Sequence, residues 1–225
     1  MRFLVVSATG FEMAPLLGYL DEKAQKESFF SYRLGPHLIH PLVTGVGMVN
    51  TAIALARSEF MNEVDFALQL GVAGSFHESF QLGRVYEVVE DRFADLGVEE
   101  ADGSFTDVYE MMLCPPDTFP FEGGWIRQGK KIIESGLPQA IAITVNKVHG
   151  HAASIDAIRR KYSADLESME GAAFFYACRL MDVKCIQLRS VSNRVEPRNR
   201  DAWQLGEAID NLNREVIRII ENLPA

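Results

Sequence analysis

Short apolar runs alternate with stretches of helical periodicity along this chain, and that rhythm constrains its fold more than any single residue does. Arg2–Ser7, Leu38–Thr44, Phe66–Leu70, Arg84–Val89, Ala140–Val145 and Lys184–Val191 read as strands. Met48–Met61, Ala153–Lys161, Gly171–Leu180 and Ala202–Asn222 read as helices. Such alternation predicts an α/β fold, with a central mixed β-sheet flanked by helices on both faces. In the last helix, Leu205, Ile209, Leu212, Val216 and Ile219 recur at helical spacing, a stripe that belongs in a core. With 225 residues, 48% of them hydrophobic, the chain is long enough for one domain with a substantial core, and a single domain over residues 1–225 is expected.

Other features narrow the function classes. The formal net charge of −9 speaks against a nucleic-acid surface, which carries a basic stripe. No stretch approaches the roughly 20 apolar residues that span a bilayer, so no membrane partner is expected. The opening run Met1–Ser7 is too short for a signal peptide and reads as the first buried strand. Cys114, Cys178 and Cys185 lack CxxC spacing, which suits a reduced, cytoplasmic protein. His149 and His151 have no carboxylate or cysteine at ligand spacing, so neither a metal nor a cofactor is expected. The segment from Asp91 to Gly136, with Pro115-Pro116, Pro120 and Gly123-Gly124, reads as an irregular excursion.

Two polar residues stand out at element ends. Glu170 opens the apolar, small-residue helix Gly171–Leu180, and Asn193 follows the strand Lys184–Val191. Strand C-termini and helix N-termini meet at the ligand crevice of an α/β sheet. There a carboxylate can accept two vicinal hydroxyls while an amide reads the edge of a base. Taken alone, Glu170 also fits a helix N-terminal charge and Asn193 a turn residue.

The segments Ser168-Met169-Glu170-Gly171-Ala172-Ala173 and Arg189-Ser190-Val191-Ser192-Asn193 resemble the superfamily of purine nucleoside phosphorylases and methylthioadenosine/S-adenosylhomocysteine nucleosidases. Within it, the run from Arg189 to Trp203 looks like the futalosine hydrolases, nucleosidases of menaquinone biosynthesis. The likeness extends from the first strand through Thr44-Gly45-Val46-Gly47 and Gly71-Val72-Ala73-Gly74-Ser75. It implies a nucleoside phosphorylase-like fold and cleavage of an N-ribosidic bond.

Residue roles follow from the resemblance. Glu170 becomes the ribose carboxylate, with Met169 packed on the sugar, and Glu12 the base that orients and deprotonates water. Val148 and His149 become base-pocket residues, His149 as a satisfied polar group rather than an acid. Asn193 stands where the adenine-releasing enzymes carry aspartate. An asparagine cannot act as that acid, but it can donate to O6 and accept from a protonated N7, which suits a 6-oxopurine. Trp203 and one of Arg194, Arg198 or Arg200, with Arg198 foremost, become the contacts for an aryl carboxylate at the 5′ end. Val72 occupies the hydroxyl position of the phosphorylase loop and the first turn lacks an arginine, which favours water over phosphate. Ser75 and Arg84 remain as candidate anion contacts, and Arg189 either lines the nucleophile side or is a structural strand-end arginine. A phosphorylase of the same fold and a non-catalytic nucleoside-binding module stay open as alternatives. The related nucleosidases are dimers, and Phe93, Phe105, Tyr109, Phe119 and Phe121 in the excursion either form such an interface or roof the chain's own sheet.

Overall fold

The computed structural model describes residues 1–129 and 133–223, so residues 130–132 of the expected excursion and the last two residues lie outside the described residues. The N-terminal part runs β1 (Arg2–Ser7), α1 (Gly10–Lys23), β2 (Gln25–Ser28), β3 (Ser31–Leu34), β4 (His37–Val43), α2 (Met48–Arg57), β5 (Phe66–Ser75) and β6 (Val85–Asp91). Four short strands follow: β7 (Gly97–Glu99), β8 (Phe105–Asp107), β9 (Phe121–Glu122) and β10 (Trp125–Arg127). The C-terminal part is β11 (Gln139–Thr144), α3 (Ala152–Tyr162), β12 (Leu166–Ser168), α4 (Gly171–Leu180), β13 (Cys185–Arg194) and α5 (Leu205–Glu221).

Among the described residues, eleven strands form one mixed sheet, and β7 and β8 form a separate pair. Strand β1 lies parallel between β4 and β5, and β13 runs parallel to β5. Beyond that point the sheet curls back on itself. β13 pairs with β6, β6 with β11, β11 with β12, and β12 returns antiparallel to the C-terminal end of β5. The long β5 therefore belongs to an open sheet at its N-terminal half and to a closed five-stranded ring at its C-terminal half.

Two cores explain why the strands read as unbroken apolar runs. On β1, Phe3 and Val5 pack with Met13, Leu16 and Leu20 of α1 and Leu212, Val216 and Ile219 of α5. Their neighbours Leu4 and Val6 point the other way, toward Leu55 of α2 and Phe174, Phe175 and Cys178 of α4. Period-2 side chains thus serve both faces, each large one contributing about 1.5–3 kcal/mol on burial. Among the described residues, no helix is long and apolar enough to cross a membrane.

Several expectations need correction. Strand β5 continues to Ser75 rather than Leu70, so Gly71–Gly74 is strand rather than loop. β13 continues to Arg194, with a register shift between Val191 and Asn193. Inside the ring, polar and glycine residues remain paired, which an apolar-run reading cannot follow. Helix α2 stops at Arg57, because the chain turns extended at Ser58 before a 3₁₀ turn at Glu59–Asn62. The last helix begins at Leu205 rather than Ala202. Among its described residues the excursion carries four short strands, and its aromatics mostly roof the chain itself. Phe93, Tyr109, Phe121 and Tyr176 form a connected ring cluster, while Phe119 is exposed.

Helix α1 was not among the predicted helices, and its placement matters for the site. Thr9 caps it in a reciprocal box: Glu12 N–H donates to Thr9 Oγ1 (3.2 Å) and Thr9 N–H to Glu12 Oε2 (3.0 Å). Pro15 lies inside the helix, where it lacks an N–H. One turn of α1 is held instead by Asn213 of α5. Its Oδ1 accepts from Leu16 N–H (3.1 Å) and its Nδ2 donates to Glu12 C=O (3.0 Å), the two groups of a single helical rung.

Candidate active site

A cavity of about 360 Å³ opens where α1, β5, β12, α4 and β13 converge, within the usual range of small-molecule sites. Glu12, Val148, Met169, Glu170, Asn193 and Trp203 all line it. The structure thus brings together six of the eight residues singled out by sequence. The other two, His149 and Arg198, line an adjoining recess of about 60 Å³ that shares Gly74, Val148, Glu167, Asn193 and Trp203 with the main cavity.

Glu170 precedes the first residue of α4 and is 5% exposed. Its Oε1 accepts from Gly47 N–H (3.0 Å). Gly47 is held at φ +95°, a conformation that glycine adopts without strain. Glu170 Oε2 lies 3.6 Å from Arg189 Nη1. Glu12 is 7% exposed, and its Oε1 accepts from Val72 N–H (3.2 Å). Its carboxylate therefore serves the cap of α1 and faces the cavity at once, so the helix-end role and the site role coexist.

Behind these carboxylates lies Arg189, 1% exposed. Its Nε donates to Gln187 Oε1 (3.0 Å) and its Nη2 to Gln69 Oε1 (2.9 Å). Gln187 Nε2 in turn donates to Asp91 Oδ2 (3.1 Å), which fixes the amide orientation that Arg189 needs. Asp91 Oδ1 accepts from Thr144 Oγ1 and Arg92 N–H, both at 2.8 Å. Burial nevertheless pushes the Asp91 carboxyl up to about 6 against the pull of these donors. Gly71 leaves the space for the guanidinium, because a Cβ there would overlap Arg189 Nη1.

Asn193 Oδ1 accepts from Ser192 Oγ (2.9 Å), and its Nδ2 donates to Arg194 C=O (2.8 Å). The second amide hydrogen is left for a ligand. His149 is held by Glu167: its N–H donates to Glu167 Oε1 (2.9 Å) and its Nδ1 meets Oε2. Glu167, 3% exposed, lines both the cavity and the recess. The sequence reading missed it, since it sits in a three-residue strand with no motif of its own.

At the mouth, the guanidinium carbons of Arg198 and Arg200 lie 5.8 and 5.9 Å from the Trp203 ring centroid. Arg194 is drawn elsewhere. It donates to the backbone carbonyls of His77 (2.7 Å), Glu78 (3.1 Å) and Phe80, which fastens the turn after β5. Ser75 Oγ donates to His77 C=O (2.9 Å), and Arg84 packs over Tyr86. Neither Ser75 nor Arg84 lines the cavity.

The electrostatics of the site are those of three buried carboxylates, Glu12, Glu167 and Glu170. Among the described residues, no lysine or arginine lines the cavity itself. Such a site favours a developing positive charge and disfavours an anionic reactant.

Comparison with known proteins bears on the family and the fold. A futalosine hydrolase of Thermus thermophilus is 35% identical over 181 residues, covering 80% of each chain. One from Streptomyces coelicolor is 30% identical, covering 78% of this chain and 75% of that one. Among solved structures, the native futalosine hydrolase of Helicobacter pylori superposes with a TM-score of 0.82 at 14% identity, covering 99% of this chain and 98% of that one. A Neisseria meningitidis methylthioadenosine/S-adenosylhomocysteine nucleosidase in complex with methylthio-immucillin-A gives 0.79 at 20% identity, covering 99% of both chains. The profile of the phosphorylase superfamily matches residues 2–223, and the chain belongs to that superfamily.

Proposed function

We propose that this protein is a nucleoside N-ribohydrolase that cleaves the glycosidic bond of a 6-oxopurine nucleoside, futalosine foremost, to release hypoxanthine. The observation that carries the reading is the convergence of buried Glu12 and Glu170 and half-buried Asn193 on one cavity. The futalosine hydrolases among its relatives support the substrate.

The geometry supports a role for each residue in this reading. Glu170, held by Gly47 N–H, accepts the ribose hydroxyls and opposes the positive charge that develops on the ring as the base departs. Met169 packs on the sugar. Glu12, fixed by Thr9 and Val72, takes the proton of the attacking water. Arg189, behind Gly71, faces Glu170 from the protein side. Asn193 offers an N–H to O6, with Val148 against the base. Trp203 and Arg198 flank the 5′ end, where an aryl carboxylate would stack on the indole and meet the guanidinium.

Water rather than phosphate fits the nucleophile side, because a phosphate anion would enter a cavity lined by three carboxylates. Incubation with futalosine, inosine and methylthioadenosine, with and without phosphate, tests the reading. Free hypoxanthine should appear from the 6-oxo substrates without phosphate, and heavy-oxygen water should label the sugar C1 hydroxyl. Methylthioadenosine should be a poor substrate. A sugar 1-phosphate product, or dependence on phosphate, would convert the assignment to a phosphorylase.

Our reading also includes a homodimer in the cytoplasm. Val43, Val46, Val49 and Ile53 are each 46–66% exposed on and before α2, beside the cavity, and three free thiols suit a reducing compartment. Light scattering on active protein should give twice the chain mass; a fully active monomer would refute the dimer. Recovery of the protein from an exported or membrane fraction would refute the compartment.

A further inference from the structure

We infer that Glu167, with Asn193, is the residue that selects a 6-oxopurine over adenine, by accepting the N1–H of the base. The inference rests on the nucleosidase reading for its ligand, but on separate atoms for its geometry. Glu167 on β12 is in register with Gly74 of β5, and Asn193 on β13 is in register with the same Gly74. The two side chains therefore stand on strands that flank one glycine. Adjacent strands lie about 4.7–4.9 Å apart, so their backbones are about 9–10 Å apart.

Gly74 puts no side chain between them, and a Cβ there would meet Val195 Cγ2 at 2.9 Å and Asn193 Nδ2 at 3.1 Å. An amide on one side of Gly74 and a carboxylate on the other are thus available to the edge of a flat ring. Both residues line the cavity and its recess.

The hydrogen-bond inventory then sets the selectivity. A 6-oxopurine carries a donor at N1 and an acceptor at O6, whereas adenine carries an acceptor at N1 and a donor amine. An ionised carboxylate only accepts, and each of its oxygens has two acceptor positions. His149 fills one position on each oxygen, through its backbone N–H and its Nδ1. That contact orients Glu167 and leaves one acceptor position on each oxygen for the ligand. Adenine N1 would set lone pair against lone pair there, and a site built this way rejects the mismatched base strongly.

Calorimetric titration of free hypoxanthine, 1-methylhypoxanthine and adenine decides the matter without requiring turnover. Wild-type protein should bind hypoxanthine at least about 100-fold more tightly than the 1-methyl base, because the methyl both removes the donor and displaces the ring. Glu167→Gln should weaken hypoxanthine about 10- to 100-fold and narrow its advantage over adenine, because the amide can donate to N1. Equal affinity for hypoxanthine and its 1-methyl form, no measurable hypoxanthine binding, or an unchanged hypoxanthine-to-adenine ratio in the variant would each overturn the assignment. Should the variant fail to fold, the methyl comparison on wild-type protein decides alone. The two readings separate cleanly. Equal hydrolysis of inosine and 1-methylinosine sinks Glu167 and leaves the nucleosidase standing. Base discrimination without release of base from any nucleoside does the reverse.

Discussion

Glu170→Gln is expected to lower kcat for nucleoside cleavage by about 10²–10³ while the protein stays folded. Glu170 Oε1 already accepts from Gly47 N–H, so a glutamine must keep its carbonyl oxygen there. Its amide nitrogen then replaces Oε2, the atom 3.6 Å from Arg189 Nη1. Donor faces donor, and the negative charge opposite the developing cation is gone. The ribose hydroxyls lose an ionised acceptor at the same time. Because the charge on the ring exists only in the transition state, the loss should fall on kcat more than on KM. Arg189 keeps Gln69 and Gln187 as partners, which limits the effect on folding. Steady-state kinetics beside a thermal melt check this. A variant with more than half the wild-type kcat removes Glu170 from the mechanism.

The parts of the molecule that were legible in the sequence share a physical cause. Strands such as β1 feed two cores on alternate residues, so their apolar runs are unbroken and visible. Glu170 and Asn193 were visible because they are polar residues at the ends of apolar elements. Other parts depend on partners distant in the chain. Helix α1 contains Pro15, and the rung beside it is completed by Asn213, close to 200 positions away: the contact from Leu16 spans 197. Glu167 acquires its meaning only when the ring closes and β12 meets β5 beside β13. Arg189 read as either structural or lining the nucleophile side. Its burial and its chain of partners through Gln187 to Asp91 make it a support for Glu170, which its Nη1 faces at 3.6 Å. Among the three mouth arginines, composition could not distinguish Arg194, which spends its donors on the carbonyls of His77, Glu78 and Phe80.

Gly71→Ala should damage stability and activity together, and the size of the effect measures how rigidly Arg189 is held. Gly71 has an ordinary backbone conformation, so an alanine meets no torsional barrier there. The obstacle is steric: the new methyl would overlap Arg189 Nη1 and sit 3.5 Å from Glu12 Oε1. Arg189 is 1% exposed and cannot swing to solvent, and its Nε and Nη2 are committed to Gln187 and Gln69. Either β5 shifts away from β13, or the guanidinium tilts away from Glu170. Overpacking of this kind costs about 1–3 kcal/mol, which for a chain of this size lowers Tm by about 2–4 °C for each kcal/mol. A tilted guanidinium would also misplace Glu170, the carboxylate it faces at 3.6 Å, so kcat should fall at least about 10-fold, in line with the sensitivity of such sites to small displacements. Gly18→Ala is the control. It lies within α1, a Cβ there meets nothing within 4 Å, and the helix should gain slightly. If Gly71→Ala melts and turns over like the control, Arg189 is not braced against β5 and its role in positioning Glu170 must be abandoned.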